Sequence, residues 1–484
     1  MIKPPASLRR PLALSAAAVL ALAPAVAPAF QDPFGTAALT APSRLGETVT
    51  PPSASPCAAP LPAAAISLTD VVDRALCANP QTREAWANAR VRAAEVGVAR
   101  SAFLPSLDAS VSWNSTNPDS AFTVADGWRS STRAAATLSY LLYDFGRRDA
   151  ELESARELLF AANATQENVV QQVFLQAVSA YYQVQAAEAA LAAARASEQS
   201  SLEGLNAAQA RYSVGAGTPA DRLQAQTAHS QAVLDRIRAE GALRNASGTL
   251  ANVMGLDANR PLALAPAAAG LPDLEREQDI GALIAQARGR RPDLAASSAR
   301  ARAAEADIRA AEAAGKPSVT LGAGPTFSDP SGGGLTDSST VGVTLSIPLF
   351  TGFRDTYRIA GARAQAEATA AARDRVDLQV TLDVWQAYQS LTTESQAVKS
   401  SDDLLASALE AEQVALGRYR AGVGSILDVL NAQAALASAR QQRVQASLNW
   451  NVARVSLAQS IGALDYDLII AAGAASPGTL PAPR

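Results

Sequence analysis

Histidine and cysteine are almost missing: the 484 residues hold one histidine, His229, and two cysteines, Cys57 and Cys77. That excludes the usual His/Cys zinc sites and any His-dependent triad drawn from several candidates. Aromatic residues make up only 5%, charged residues 18%, and the formal net charge is -4. So small a charge argues against a nucleic-acid surface. Beyond the N-terminal leader no run of 18 apolar residues occurs, so no transmembrane helix is expected. If the chain crosses a membrane, it must do so by a closed β-barrel. What is present is apolar: hydrophobic residues reach 48%, with alanine dominant. That is too much for a disordered chain and enough for a large core. Much alanine with few aromatics points to closely packed helices rather than a bulky globular core.

Residues 1–29 read as a signal peptide. Lys3, Arg9 and Arg10 supply the basic region, 12–22 the apolar run, and Ala27-Pro28-Ala29 the cleavage site. No cysteine directly follows the site, so a lipid-modified N-terminus is not expected. Residues 30–66 and 465–484, rich in proline, alanine and small polar residues, read as a flexible lead-in and a flexible tail. An oxidising compartment would let Cys57 and Cys77 pair and staple the lead-in to the first helix. The alternative is two free thiols.

The chain contains itself twice. The segment 104–113 resembles 316–325 at a spacing of 212 residues. LLYDFGRR at 141–148 resembles PLFTGFRD at 348–355, 171–184 resembles 378–391, and RYSVGAG at 211–217 resembles RYRAGVG at 418–424, all at a spacing of 207. Copy one covers 67–257 and copy two 279–464, joined by a Pro/Ala-rich crossover at 258–278.

Each copy begins with a helix, broken or restarted at Pro80 or Pro292, and led in copy one by Leu68-Thr69-Asp70 with Asp70 as a cap. Two strands follow, predicted over 106–116 and 132–143 in copy one and 318–328 and 339–350 in copy two. Leu107, Ala109, Val111 and Trp113 fall on one face while Asp108, Ser110, Ser112 and Asn114 fall on the other. Val341, Val343, Leu345 and Ile347 alternate in the same way. Trp113, Trp128, Tyr140, Tyr143, Phe145, Phe350 and Phe353 near the strand ends fit an interfacial girdle. Four strands cannot close a barrel alone, so the chain oligomerises or its strands pack on its helices. Long helical hairpins are predicted over 147–256 and 355–462, turning near Gly215 and Gly422. Helices of that length exceed an ordinary globular domain and must pack as coiled coils.

The combination resembles the TolC family of outer-membrane channels over residues 67–464. NPQ before a long helix, LLYDFGRR after a strand, and the duplicated Arg-Tyr-x-x-Gly turns carry the likeness. The resemblance implies a mixed α/β membrane protein: a homotrimer in which each chain gives four strands to one shared 12-stranded β-barrel, continued across the periplasm by a coiled-coil α-barrel. It implies outer-membrane lipid around the barrel, a periplasmic adaptor protein, an inner-membrane ABC or proton-driven exporter, and no cofactor. Arg211, Tyr212, Gly215, Arg418, Tyr419 and Gly422 then belong to the periplasmic tip turns. Asp428 and Asn431, with Asp221 and Gln224 in copy one, take the pore-constriction positions. Only Asp428 is acidic in the copy-two pair. Gly424 stands where the resemblance places a bracing arginine.

The reading of function is therefore a passive exit duct, leaning to type I protein secretion. The missing acylation cysteine and the CANPQTR segment at 77–83 incline it that way. Small-molecule efflux is the alternative, and a periplasmic coiled-coil structural protein the alternative of another class. No nucleophile–base pair marks an enzyme. SGGGL at 331–335 lacks the lysine of a phosphate loop, and His229 reads as a polar residue on a helix surface.

Overall fold

The computed structural model describes residues 32–40, 65–117, 128–265, 279–330 and 334–464. Copy one runs α1 (Leu68–Ala78), α2 (Pro80–Ser101), β1 (Ser106–Thr116), β2 (Arg129–Tyr143), α3 (Arg147–Ser213) and α4 (Pro219–Val253). Copy two repeats the order: α5 (Ile280–Arg290), α6 (Pro292–Ala314), β3 (Ser318–Pro330), β4 (Thr336–Ser346), α7 (Arg354–Arg420) and α8 (Ile426–Ser460). Equivalent hairpin helices have equal lengths, 67 residues for α3 and α7 and 35 for α4 and α8. At about 1.5 Å per residue, each long helix spans roughly 100 Å. Among the described residues no helix is long and apolar enough to cross a membrane.

The prolines divide the helices as their chemistry requires. Asn79 is extended (φ -64°, ψ 130°), accepts a hydrogen bond from the Gln81 N–H at 2.9 Å, and places Pro80 at the first helical position. Arg291 and Pro292 take the same places between α5 and α6. There the Arg291 guanidinium pairs with Asp293 at 2.6 Å and with Asp383 of α7 at 2.8 Å. The cap of α1 is Ser67 rather than the expected Asp70. The Ser67 hydroxyl accepts from the Asp70 N–H and the Asp70 carboxylate accepts from the Ser67 N–H, a reciprocal capping box.

The long helices α3 and α7 are continuous, and the shorter ones stack beside them. Near the sheet α3 packs against α2 and α6, and α7 against α6; farther out α3 packs against α4 and α8, and α7 against α8. Such close layers need small side chains, and α6 buries Ala296, Ala299, Ala303 and Ala306. The largest core lies at mid-length, where Val72, Val173, Phe174, Leu250 and Met254 are shut from solvent. Tyr181 there donates to the Ala265 carbonyl at 3.0 Å, and burial with the neighbouring Tyr182 pushes its hydroxyl up to about 12.

The four strands form one antiparallel sheet in the order β1-β2-β3-β4. Its register aligns the apolar residues of every strand: Leu107 opposite Leu138, Leu138 opposite Ala323, and Ala323 opposite Val341. One face is thus continuously apolar, with Leu107, Val111, Val341 and Val343 all exposed. The other face carries Ser106, Ser139, Gly322 and Gly342 at matching positions. β1 and β4 are the two edges.

The structure departs from the sequence reading at several places. β3 runs to Pro330 rather than 328, and β4 starts at Thr336 rather than 339 and ends at Ser346, not at 350, because Pro348 has no N–H to continue a ladder. β2 begins at Arg129 and pairs from there with Thr116. Residues 32–40, expected as part of a flexible lead-in, form a packed turn. Asp32 caps it through Thr36 and Ala37, Arg100 donates to the Phe34 carbonyl at 2.8 Å, and Leu39 packs near Val96 and Leu159. Ile66 and Leu264 form a parallel bridge that ties the start of copy one to the crossover. Cys77 lies on α1 and is disulfide-bonded. Cys57, the signal peptide, residues 266–278 of the crossover and the tail 465–484 lie outside the described residues.

Candidate functional site: the hairpin tips

Both long helices end in the same six-residue device. The Gly215 N–H donates to the Tyr212 carbonyl at 3.1 Å and the Ala216 N–H to the Arg211 carbonyl at 2.9 Å. Gly422 and Val423 repeat this on Tyr419 and Arg418, each at 3.0 Å. This is a Schellman motif, whose pivot needs a left-handed backbone. Gly215 (φ 75°) and Gly422 (φ 83°) supply it without a Cβ penalty. The second glycine answers to close approach. A Cβ on Gly424 would lie 3.1 Å from the Tyr419 nitrogen and 3.2 Å from the Arg418 Cβ, and Gly217 is equally crowded. A side chain at position 217 or 424 would therefore press on the last turn of its own long helix.

The return helices start with matching capping boxes. Asp221 accepts from the Thr218 N–H at 3.0 Å, and Asp428 from the Ser425 N–H at 3.2 Å. Both carboxylates thus serve first as helix caps. The Ser425 backbone N–H, then its hydroxyl, hold the Asp428 carboxyl below the usual carboxylate range. Asp428 is exposed and ionised at neutral pH. Asn431 lies one helical turn farther along the same face, and Gln224 stands in the same relation to Asp221; both are exposed. Within one chain these residues form two separate pairs on two helices.

The residues that join the hairpins are Arg211 and Tyr419. The Arg211 guanidinium donates to the Tyr419 carbonyl at 2.7 Å and to the Ala216 carbonyl at 3.2 Å. It also lies 4.9 Å from the centre of the Tyr419 ring. A cation there satisfies a helix-terminal carbonyl and the negative end of the helix dipole together. Tyr419 is 3% exposed and packs with Leu205, Ala208, Leu416, Ile426 and Val429; burial raises its pKa. Arg420 reaches Glu203 at 3.2 Å, and Gln433 donates to the Ser200 carbonyl at 2.8 Å. Glu203, Gln433 and Ser200 are partners that sequence reasoning missed. Their shared signal is the repeat itself, since pairs some 200 positions apart meet where the two copies pack side by side. Tyr212, by contrast, is 38% exposed, with Arg222 4.9 Å from its ring. His229 does more than face solvent: its Nδ1 lies 3.2 Å from the Ser201 hydroxyl. Among the described residues no cluster is arranged to hold a metal ion.

The sequence model of the family described as outer membrane efflux protein matches residues 71–256 and 283–463, once per copy. Protein CyaE of Bordetella pertussis is 32% identical over 408 residues, covering 84% of this chain and 85% of its own. Outer membrane protein TolC of Escherichia coli is 22% identical over 420 residues, covering 84% of each. The solved structure of outer membrane protein VceC from Vibrio cholerae superposes with a TM-score of 0.72 at 20% identity, over 82% of this chain and 96% of that one. The duplicated helix–strand pair–hairpin architecture and the two matches that fall on it place the chain in the outer membrane efflux protein family, as a TolC-type channel of the outer membrane with a long periplasmic helical extension.

Proposed function

We propose that three copies of this chain build one conduit, a 12-stranded barrel drawing four strands from each, continued by a helical barrel through the periplasm. The observation that carries this is the sheet. Its apolar face is exposed on the edge strands β1 and β4 and half-exposed on β2 and β3, and among the described residues neither edge strand has a second neighbour in the sheet. Both features are liabilities in water, and both are resolved by lipid outside and neighbouring chains at the edges. An even number of antiparallel strands per chain lets β4 of one copy meet β1 of the next antiparallel, so a ring closes without a mismatch.

In such a ring three Asp428 side chains converge at the tip and favour cations, while Asn431 adds no second charged ring. Asp221 and Gln224 line the adjoining positions. The chain is a channel and not an enzyme, so the energy for transport comes from an inner-membrane ABC or proton-driven exporter coupled through a periplasmic adaptor that engages the tips. A Cys57–Cys77 disulfide secures the lead-in on α1.

For the cargo, the reading is type I protein secretion, supported by the missing acylation cysteine. Small-molecule efflux is the second reading, favoured by the family's own description. A deletion strain separates them. Proteins missing from the culture medium with unchanged drug tolerance support secretion; raised drug sensitivity with an unchanged exported set supports efflux and removes the first reading.

A further inference from the structure

The clamp that joins the two hairpins of one chain is half of what a closed ring needs. Inside the chain α3 of copy one lies against α8 of copy two. Across that seam Arg211 holds the Tyr419 carbonyl at 2.7 Å and Gln433 holds the Ser200 carbonyl at 2.8 Å. Moving each of these residues by the 207-residue repeat leads to Arg418, Tyr212, Gln226 and Ser407. The residue type is the same at all four places. All four are exposed in the single chain, and Tyr212 is 38% exposed where Tyr419 is 3%. The helices that carry them have bare apolar faces as well: Trp385 and Val414 on α7, Leu223 and Ile237 on α4. The outer side of copy two is thus built like the inner side of copy one, with nothing among the described residues of its own chain to meet it.

We infer that Arg418 of one chain donates to the Tyr212 carbonyl of the next, while that neighbour's Gln226 donates to the Ser407 carbonyl, so that a second copy of this chain completes the tip clamp. The inference rests on the ring proposed above. The chemistry is that of the in-chain half: a guanidinium on the last carbonyls of a long helix, favoured by the helix dipole. One difference is local. Arg222 already covers one side of the Tyr212 ring, where copy two has Val429, so Arg418 takes the carbonyl and the remaining side. In its own chain the Arg418 charge is one of the groups that hold the Asp428 carboxyl down.

The test uses the full-length protein purified from membranes, with the number of chains per particle measured first. Gln226→Cys combined with Ser407→Cys, treated with a short bismaleimide, links neighbouring chains into covalent dimers and trimers on a denaturing gel. The in-chain counterpart, Ser200→Cys with Gln433→Cys, leaves single chains. In planar bilayers Arg418→Ala raises the open-to-closed ratio about tenfold or more, the worth of a charge-assisted hydrogen bond, and Arg418→Lys recovers part of the closure. Arg92→Ala, near the sheet, leaves conductance unchanged. A trimer whose Gln226/Ser407 cysteines link no neighbouring chains, or whose Arg418→Ala variant conducts like the wild type, overturns the clamp. A wild-type particle of one chain overturns the ring itself.

Discussion

Asp428 combines two roles that a single substitution can separate. Its carboxylate caps α8 through the Ser425 N–H, and its charge faces the proposed axis. Asp428→Asn keeps a side-chain acceptor for the cap and removes the charge. Its channels are expected to show a reversal potential shifted toward zero in a potassium chloride gradient, and an unchanged value would withdraw Asp428 from the constriction. Asn431→Asp should strengthen cation preference by adding a second ring. The cap has its own pH dependence. The Asp428 carboxyl lies below its unfolded value, so its stabilisation is full above the ordinary carboxylate pKa, about 3.9, and is lost as pH falls through the lower folded value. Amide exchange at residues 421–425, corrected for intrinsic rates, therefore quickens below about pH 4, and Asp428→Asn flattens that rise. The glycine pivots were legible because the turn chemistry repeats at a fixed spacing, whereas the constriction positions came only from the family resemblance. The partner of Arg211 was not legible, because Tyr419 is 208 positions away and only packing brings its carbonyl there.

Helices and strands were readable to the extent that period and punctuation agreed. The alternation in β1 and β4 gives the apolar face directly, and Pro80 and Pro292 give the restarts of α2 and α6. The end of β4 required more weight on chemistry than on alternation, since Ile347 continues the pattern but Pro348 cannot continue the ladder. The turn at residues 32–40 was hidden by a composition typical of linkers; its anchor, Arg100, lies 66 positions from Phe34. The face assignment makes a sharp prediction. Val343 lies mid-strand opposite Leu321 on the apolar face, and Thr344 lies opposite Thr320 on the other. A charge at mid-membrane on the lipid face costs about 2–4 kcal/mol. Val343→Arg should deplete the heat-sensitive oligomer in outer-membrane fractions, whereas Thr344→Arg should assemble at wild-type levels. Equal assembly of both variants would mean that the apolar face does not meet lipid.

At the scale of the whole molecule, duplication explains the architecture. One copy has two strands and one hairpin; two copies side by side make a wall with four strands and two hairpins, with β1 and β4 as its sheet edges. Equal helix lengths of 67 and 35 residues in the two copies keep the tips level, so any ring of such walls ends in a flush set of turns. What no single sequence carries is the number of walls, which depends on the angle at the joint between chains. The decisive measurement is the mass of the purified, detergent-solubilised protein by light scattering or native mass spectrometry. Three chains per particle is the predicted result. A stable particle of one chain, with its sheet folded against its own helices, would contradict the account.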